Sequence, residues 1–301
     1  MDKTERRTYV NSVLDGYADP GVLYYQGKYY LYSTSPRNTN YEVYVSDNLV
    51  EWQFAGVCLE SAWGMARWYW APEVMERDGK FYMIASVNEH LGIAVADSPL
   101  GPFVPQRTYL FDRSIDGHWF VDKDGTVYLY YVSWREGHPY GIYGVRMKDD
   151  IVTPDMSTEK RVLWPTEPWE KHHGEVTEGP YMVYHNGLYY LTYSGSGYTA
   201  QEYAIGYAIS DSPLGEFKKY PGNPVLKAGN GLYGTGHHSF APSPDGKEWF
   251  IVYHVHRDAE HVQLRRICID RARFVPCEGE PDRLEVLGPT STPQPYPSGA
   301  C

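Results

Sequence analysis

The chain has 301 residues, with 27 Lys+Arg against 38 Asp+Glu and a formal net charge of −11. That balance argues against nucleic acid or an anionic membrane as partner, since both need a basic face, and no run approaches the ~18 apolar residues of a membrane-spanning helix. Aromatic residues reach 16%, with 29 Tyr and 9 Trp, flat apolar faces with polar tips that suit sugar rings as well as a core.

The N-terminal residues, Met1 to Arg7, lead into no apolar run, so no signal peptide is read and a cytoplasmic location is expected. Cys58, Cys268, Cys277 and Cys301 show no paired spacing and read as free thiols. From Asp19 a phrase begins that recurs five times: DPGVLYYQGKYYLYSTS, then APEVMERDGKFYMIAS from Ala71 and DGHWFVDKDGTVYLYYV from Asp116. It returns as EGPYMVYHNGLYYLTYS from Glu178 and HHSFAPSPDGKEWFIVYH from His237. Each copy has a polar lead-in, a short run, a Gly-centred turn and an aromatic strand. The turn glycines are Gly27, Gly79, Gly125, Gly187 and Gly246, a spacing that marks a propeller or solenoid. Turn pairs such as Asp78-Gly79 and Asn186-Gly187 tolerate the positive φ of tight hairpins, and the flanking runs are strand formers. Five hairpins, each opening a sheet of about four strands, predict an all-β, five-bladed β-propeller as a single domain over residues 1–301.

The lead-ins hold the chemistry. Asp19 stands eight residues before its turn glycine, and Asp116, Glu178 and His237 stand nine before theirs. One radial register would aim all four at a central pocket. In the second copy that place falls to Trp70, with Glu73 nearby, and both are read as substrate contacts. Residues 1 to about 16 are expected against the outside of the first or last blade. Asp97-Ser98-Pro99-Leu100-Gly101-Pro102-Phe103 and Asp211-Ser212-Pro213-Leu214-Gly215-Glu216-Phe217 read as structural turns with an aromatic packed between blades. The stretch from Arg146 to Gly174, broken by Pro154, Pro165 and Pro168, is expected as loop forming a rim above the pocket. Its His172-His173 pair is too isolated to read as a metal site. Val262–Asp270 is a strand with two candidate substrate arginines, Arg265 and Arg266, and the tail from Pro289 wraps or frays.

Three carboxylates around one pocket are what acid/base hydrolysis of a glycosidic bond requires. One must be ionised to activate water, one must be protonated near neutral pH, and a third can raise the acid's pKa by like-charge proximity.

In Tyr17-Ala18-Asp19-Pro20, Trp70-Ala71-Pro72-Glu73, Ile115-Asp116, Glu178-Gly179-Pro180 and Gly234-Thr235-Gly236-His237-His238-Ser239 the chain resembles glycoside hydrolase family 43 over essentially its whole length. The resemblance implies Asp19 as general base, Glu178 as general acid, Asp116 as the carboxylate that tunes the acid, and inversion at the anomeric carbon. It also implies a calcium ion near His237, a substrate contact from Arg265, and no organic cofactor. The chain departs from the family at Gly117, where Pro is usual, and Glu175 is a rival acid without the following Gly-Pro. The Glu178-Gly179-Pro180 phrase and its sequel are more similar to the family's arabinofuranosidases than to its two-domain xylosidases, whose C-terminal β-sandwich has no room after Leu287. The expected function is therefore exo-acting release of α-L-arabinofuranose from oligosaccharides. β-Xylosidase, endo-arabinanase and β-galactofuranosidase are alternatives within the family. A non-catalytic sugar-binding propeller and an invertase-like retaining propeller are alternatives outside it. The oligomeric state is left open.

Overall fold

The computed structural model describes residues 7–106 and 108–300. What the sequence suggests for residues 1–6 and for Cys301 lies outside them. The chain forms five antiparallel sheets arranged as a β-propeller. Blade one comprises Ala18–Tyr25, Lys28–Thr34, Tyr41–Ser46 and Gln53–Leu59. Blade two comprises Tyr69–Arg77, Lys80–Val87 and His90–Ala96, with Val104–Pro105 and Phe111–Asp112 sharing the outer edge. Blade three is Ser114–Val121, Val127–Ser133, Gly141–Met147 and Pro154–Leu163. Blade four is Thr177–His185, Leu188–Gly195, Ala204–Ser210 and Lys218–Lys219. Blade five is Gly236–Pro242, Trp249–Val255 and Arg266–Val275, and its outer place is shared by Arg283–Val286 and the N-terminal Leu14–Asp15. That last pairing closes the ring, as expected for the N-terminal segment. Gln294–Pro295 of the tail wraps back onto Thr8–Tyr9.

Second strands such as Lys28–Thr34 and Val127–Ser133 are buried almost throughout, because neighbouring blades cover both faces, so they read as continuous apolar and aromatic runs. Tyrosine fills this role with a hydroxyl that must find a partner. Tyr32 donates 2.6 Å to the Pro99 carbonyl of the next blade and Tyr130 does the same to Pro213. The two Ser-Pro-Leu-Gly turns thus receive inter-blade bonds, and their Phe103 and Phe217 are buried.

The stretch from Arg146 to Gly174 differs from expectation. Pro154–Leu163 is a ten-residue strand, followed by a single 3-10 turn at Pro168–Glu170. As an outermost strand it is largely uncovered, so it lacks the apolar alternation that marks inner strands. It does not line the central cavity.

Every innermost strand breaks register at its lead-in, between Ala18/Gly21, Trp70/Glu73, Ile115/His118, Glu178/Tyr181 and Gly236/His238. The bulge holds one residue at positive φ: Asp19 (53°), Ala71 (42°), Asp116 (57°), Gly179 (55°) and His237 (41°). This corrects the register. Asp19, Asp116 and His237 are equivalent, but Glu178 stands one residue earlier, where blade two has Trp70. Counting back from the turn glycine misses this because the run between bulge and turn varies by one residue.

The bulges are strapped across blades. The amides of Ala71, Asp116 and His237 donate to Thr34 Oγ1 (3.0 Å), Ser86 Oγ (2.9 Å) and Ser194 Oγ (2.8 Å), hydroxyls near the end of the preceding blade's second strand. At blade four the equivalent amide, Gly179 N–H, donates instead to Asp116 Oδ2 at 3.0 Å.

Candidate active site

A cavity of about 550 Å³ lies on the axis where the five lead-ins converge, with lining residues from every blade. Such a volume is ordinary for a small-molecule site. Asp19, Asp116, Glu178, Trp70, His237 and Arg265 all line it. The structure therefore brings together six of the seven residues singled out from sequence.

Glu73 is the exception and is corrected. It faces a separate pocket at the other end of the axis. There its Oε2 accepts from His118 Nδ1 at 2.9 Å and its Oε1 from the Trp119 amide at 2.8 Å. Three residues beyond Trp70, across the bulge, it has moved too far down the strand to reach the cavity. Arg266 also turns away, its Nε lying 3.4 Å from the His256 carbonyl, so Arg265 is the arginine of the cavity. Glu175 is exposed and pairs with Lys171 at 3.6 Å, and His173 lines a neighbouring pocket instead.

Asp19 sits in a cage of donors. Arg265 Nη1 donates to its Oδ1 at 2.9 Å and Thr34 Oγ1 to its Oδ2 at 2.6 Å. His254 Nδ1 lies 3.1 Å from Oδ1, and Arg265 Nη1 faces His254 Nε2 at 3.3 Å. Burial and the Arg265 charge push the His254 pKa down to about 3, so the ring is neutral. Nδ1 also accepts the Asp19 backbone amide at 3.2 Å, so the ring sits against both the main chain and the side chain of Asp19. Burial alone would raise the Asp19 carboxyl, but Arg265, His237 and His254 outweigh it and hold the group well below the usual carboxylate range. Asp19 is ionised.

Asp116 and Glu178 are the opposite case. Burial raises both, with the charges of Glu178 and Asp19 adding to the rise at Asp116, and that of Asp19 adding to the rise at Glu178. The Gly179 amide on Asp116 and the Tyr203 hydroxyl on Glu178 Oε1, at 2.8 Å, offset only part of this. Two crowded carboxyls of this kind titrate as a unit that keeps a proton near neutral pH. A carboxylate held ionised and a carboxyl pair that shares a proton thus face one cavity.

Two glycines are required by what packs on them. A Cβ at Gly236 would stand 1.9 Å from the Tyr203 ring, so only glycine lets that tyrosine reach Glu178. At Gly117 a Cβ would lie 2.2 Å from Ile84 Cγ1, so the buried Ile84 fills the volume that a proline ring would take.

The cavity mouth is aromatic on two sides. Trp68 and Trp70 stack with ring centroids 6.2 Å apart, and opposite them the Arg265 guanidinium lies over the Tyr198 ring at 4.9 Å. Sequence reasoning missed Tyr203, Tyr198, His254 and Thr34. Of these only Thr34 and His254 carried a signal, the recurrent polar residue near the end of each second strand.

A calcium ion beside His237 does not fit the side chains present. Calcium takes six to eight oxygen ligands. Near His237 Nδ1 stand Asp19 Oδ1 at 3.6 Å and Asp116 Oδ2 at 3.7 Å, and these oxygens already accept from Arg265 and Gly179. Among the described residues no group of three His, Cys, Asp or Glu surrounds a common point.

Comparison with known proteins places this arrangement. The profile of glycosyl hydrolases family 43 matches residues 9–276. The fold superposes with a TM-score of 0.85 on the crystal structure of a thermostable family-43 glycoside hydrolase, 40% identical, over 96% of this chain and 99% of that one. An endo-1,4-beta-xylanase from Bacteroides thetaiotaomicron VPI-5482 superposes with the same TM-score at 32% identity, over 96% and 99%. The beta-D-galactofuranosidase xynD of Aspergillus niger is 29% identical over 295 residues, spanning 88% of this chain and 82% of its own.

Proposed function

The chain belongs to glycosyl hydrolases family 43, and from that premise we propose that it is an exo-acting α-L-arabinofuranosidase releasing arabinose from arabino-oligosaccharides or arabinoxylan fragments. The family's enzymes cleave O-glycosyl bonds with inversion, so the substrate is an oligosaccharide or polysaccharide. The observation that carries the mechanism is the contrast across one cavity between Asp19, held by Arg265 and Thr34, and Asp116 and Glu178, which receive only the Gly179 amide and the Tyr203 hydroxyl.

Asp19, ionised, accepts a proton from a water molecule, whose oxygen attacks the anomeric carbon. Glu178 gives its proton to the glycosidic oxygen as the carbon–oxygen bond breaks on the opposite face. Asp116 keeps that proton on the pair at neutral pH and takes the Gly179 amide, which fixes the bulge next to the acid. Trp70 and Arg265 position the sugar, the first by its ring face and the second by donating to hydroxyls.

Exo action is the reading we adopt for a single axial cavity with lining residues from all five blades. A furanose is favoured by the sequence phrase around Glu178 and by relatives named as arabinofuranosidases, such as the extracellular exo-alpha-(1->5)-L-arabinofuranosidase of Streptomyces avermitilis, 27% identical over 279 residues. The galactofuranosidase relative supports a second reading, β-D-galactofuranosidase. The two sugars share ring configuration from the anomeric carbon onward and differ in the exocyclic arm.

The test is a product profile on linear arabino-oligosaccharides, xylo-oligosaccharides and a β-D-galactofuranoside. Arabinose released one unit at a time supports the proposal. Internal cutting of arabinan, or release of xylose or galactofuranose alone, replaces the substrate assignment.

A further inference from the structure

We propose that Tyr203 is a positioning residue for the general acid: by holding Glu178 Oε1 as a hydrogen-bond acceptor, it leaves the acidic proton on Oε2, the oxygen free to reach the leaving group. This rests on the reading of Glu178 as the acid.

The carrying observation is where the Tyr203 hydroxyl is held. The His237 amide donates to Ser194 Oγ at 2.8 Å, and the Ser194 hydroxyl acts on Tyr203 in the direction of a donor, lowering a phenol pKa that burial raises. The Tyr203 hydroxyl donates its proton to Glu178 Oε1 at 2.8 Å. Tyr203 is 1% exposed, stacks on His254 with centroids 5.7 Å apart at 14°, and rests against Gly236. Its ring is held by packing on both faces, so the hydroxyl has little freedom to point elsewhere.

Blade one shows the same device in shorter form. Thr34 Oγ1 accepts the Ala71 amide at 3.0 Å and donates to Asp19 Oδ2 at 2.6 Å. In both blades a side-chain hydroxyl donates to the carboxylate, Thr34 to Asp19 and Tyr203 to Glu178. The difference follows from register, because Glu178 lies one residue before its bulge. Tyr203 spans the gap.

The groups facing Glu178 are Asp116 and Tyr140 from blade three, Asp19 from blade one, and Arg265 from blade five, with His237 beyond Asp116. None of these is altered by Tyr203→Phe. The lost phenol stabilised the ionised carboxylate, so its removal raises the Glu178 pKa and the alkaline limb of kcat/KM moves to higher pH. Without a fixed acceptor the proton also occupies Oε1, where it cannot reach the glycosidic oxygen. Transfer from Oε2 breaks the Oε2–H bond, forms the leaving group's O–H bond and accompanies cleavage of the carbon–oxygen bond.

The experiment compares kcat/KM against pH for wild type, Tyr203→Phe, Ser194→Ala and Glu178→Gln. Two substrates carry the same sugar, one a 4-nitrophenyl glycoside that leaves without protonation and the other a disaccharide that needs it. Tyr203→Phe is expected to move the alkaline limb up by about one pH unit. It should cost about tenfold in kcat on the disaccharide and less than about twofold on the aryl glycoside. Ser194→Ala should move both in the same direction by less. An unmoved limb, or equal loss on both substrates in Tyr203→Phe, overturns the inference and leaves a packing role. If Glu178→Gln cleaves the disaccharide as well as wild type does, the assignment of the acid itself fails, a different result from either.

Discussion

The two ends of the propeller axis are built from the same five strands and many of the same residue types. At one end Asp19, Asp116, Glu178 and His237 surround about 550 Å³; at the other Glu73 and His118 stand with Tyr25, Tyr181 and Phe240 around about 380 Å³. In the second cluster the hydrogen bonds close on themselves. Glu73 receives His118 and the Trp119 amide on separate oxygens, and His118 Nε2 accepts the Met182 amide at 2.9 Å. In the first they do not close: Asp116 and Glu178 are buried together with fewer donors than two carboxylates need, while Asp19 beside them has a surplus. A carboxylate and a histidine near an axis do not make a reactive site. Crowded like charge that forces one group to keep a proton does.

Substitutions can sharpen or break that contrast. The largest effect is expected at the crowded end: Glu178→Gln should lower kcat on natural oligosaccharides by roughly 10²–10⁴-fold and far less on a 4-nitrophenyl glycoside, read by steady-state kinetics. Asp19→Asn should be as damaging on both substrates, because water activation is needed whatever the leaving group. Arg265→Ala removes a charge that holds the Asp19 carboxyl down, so the Asp19 pKa rises and the acid limb of kcat/KM moves to higher pH, with KM also increased. Trp68→Ala, at the aromatic mouth, should raise KM for oligosaccharides by only a few fold, seen in the same assays.

The smallest change in activity is expected from Glu73→Ala, with kcat/KM within about threefold of wild type. Its cost falls on stability instead. The His118 ring and the Trp119 amide each lose a buried acceptor, worth on the order of 3 kcal/mol together, measured as a lower midpoint of urea unfolding. A severe kinetic defect in Glu73→Ala at full stability would break the comparison between the two ends.

The repeat was the most legible feature of the sequence, because turn glycines and doubly covered second strands leave strong local marks. Asp19, Asp116, His237 and Arg265 followed from position in the repeat or from motif. Glu178 was found as well, yet its register was misread, since the bulge is invisible without the pairing and the run from bulge to turn differs by one residue among the copies. Glu73 was misplaced for the same reason. The strand Pro154–Leu163 was missed because an outer edge need not bury either face. Tyr203 was out of reach because it reaches Glu178 from just ahead of the third strand of the same blade, and the pairing of His254 with Asp19 because it joins blade five to blade one.

In the proposed mechanism Asp19 directs water while Glu178 protonates the leaving group from the other side of one cavity. The measurement that tests it most directly is proton NMR of the sugar released in the first moments of turnover, before mutarotation. From an α-L-arabinofuranoside the β-anomer is expected first, with the signal lost in both Asp19→Asn and Glu178→Gln. The α-anomer appearing first would mean a retaining route through a covalent intermediate and would contradict the assignment.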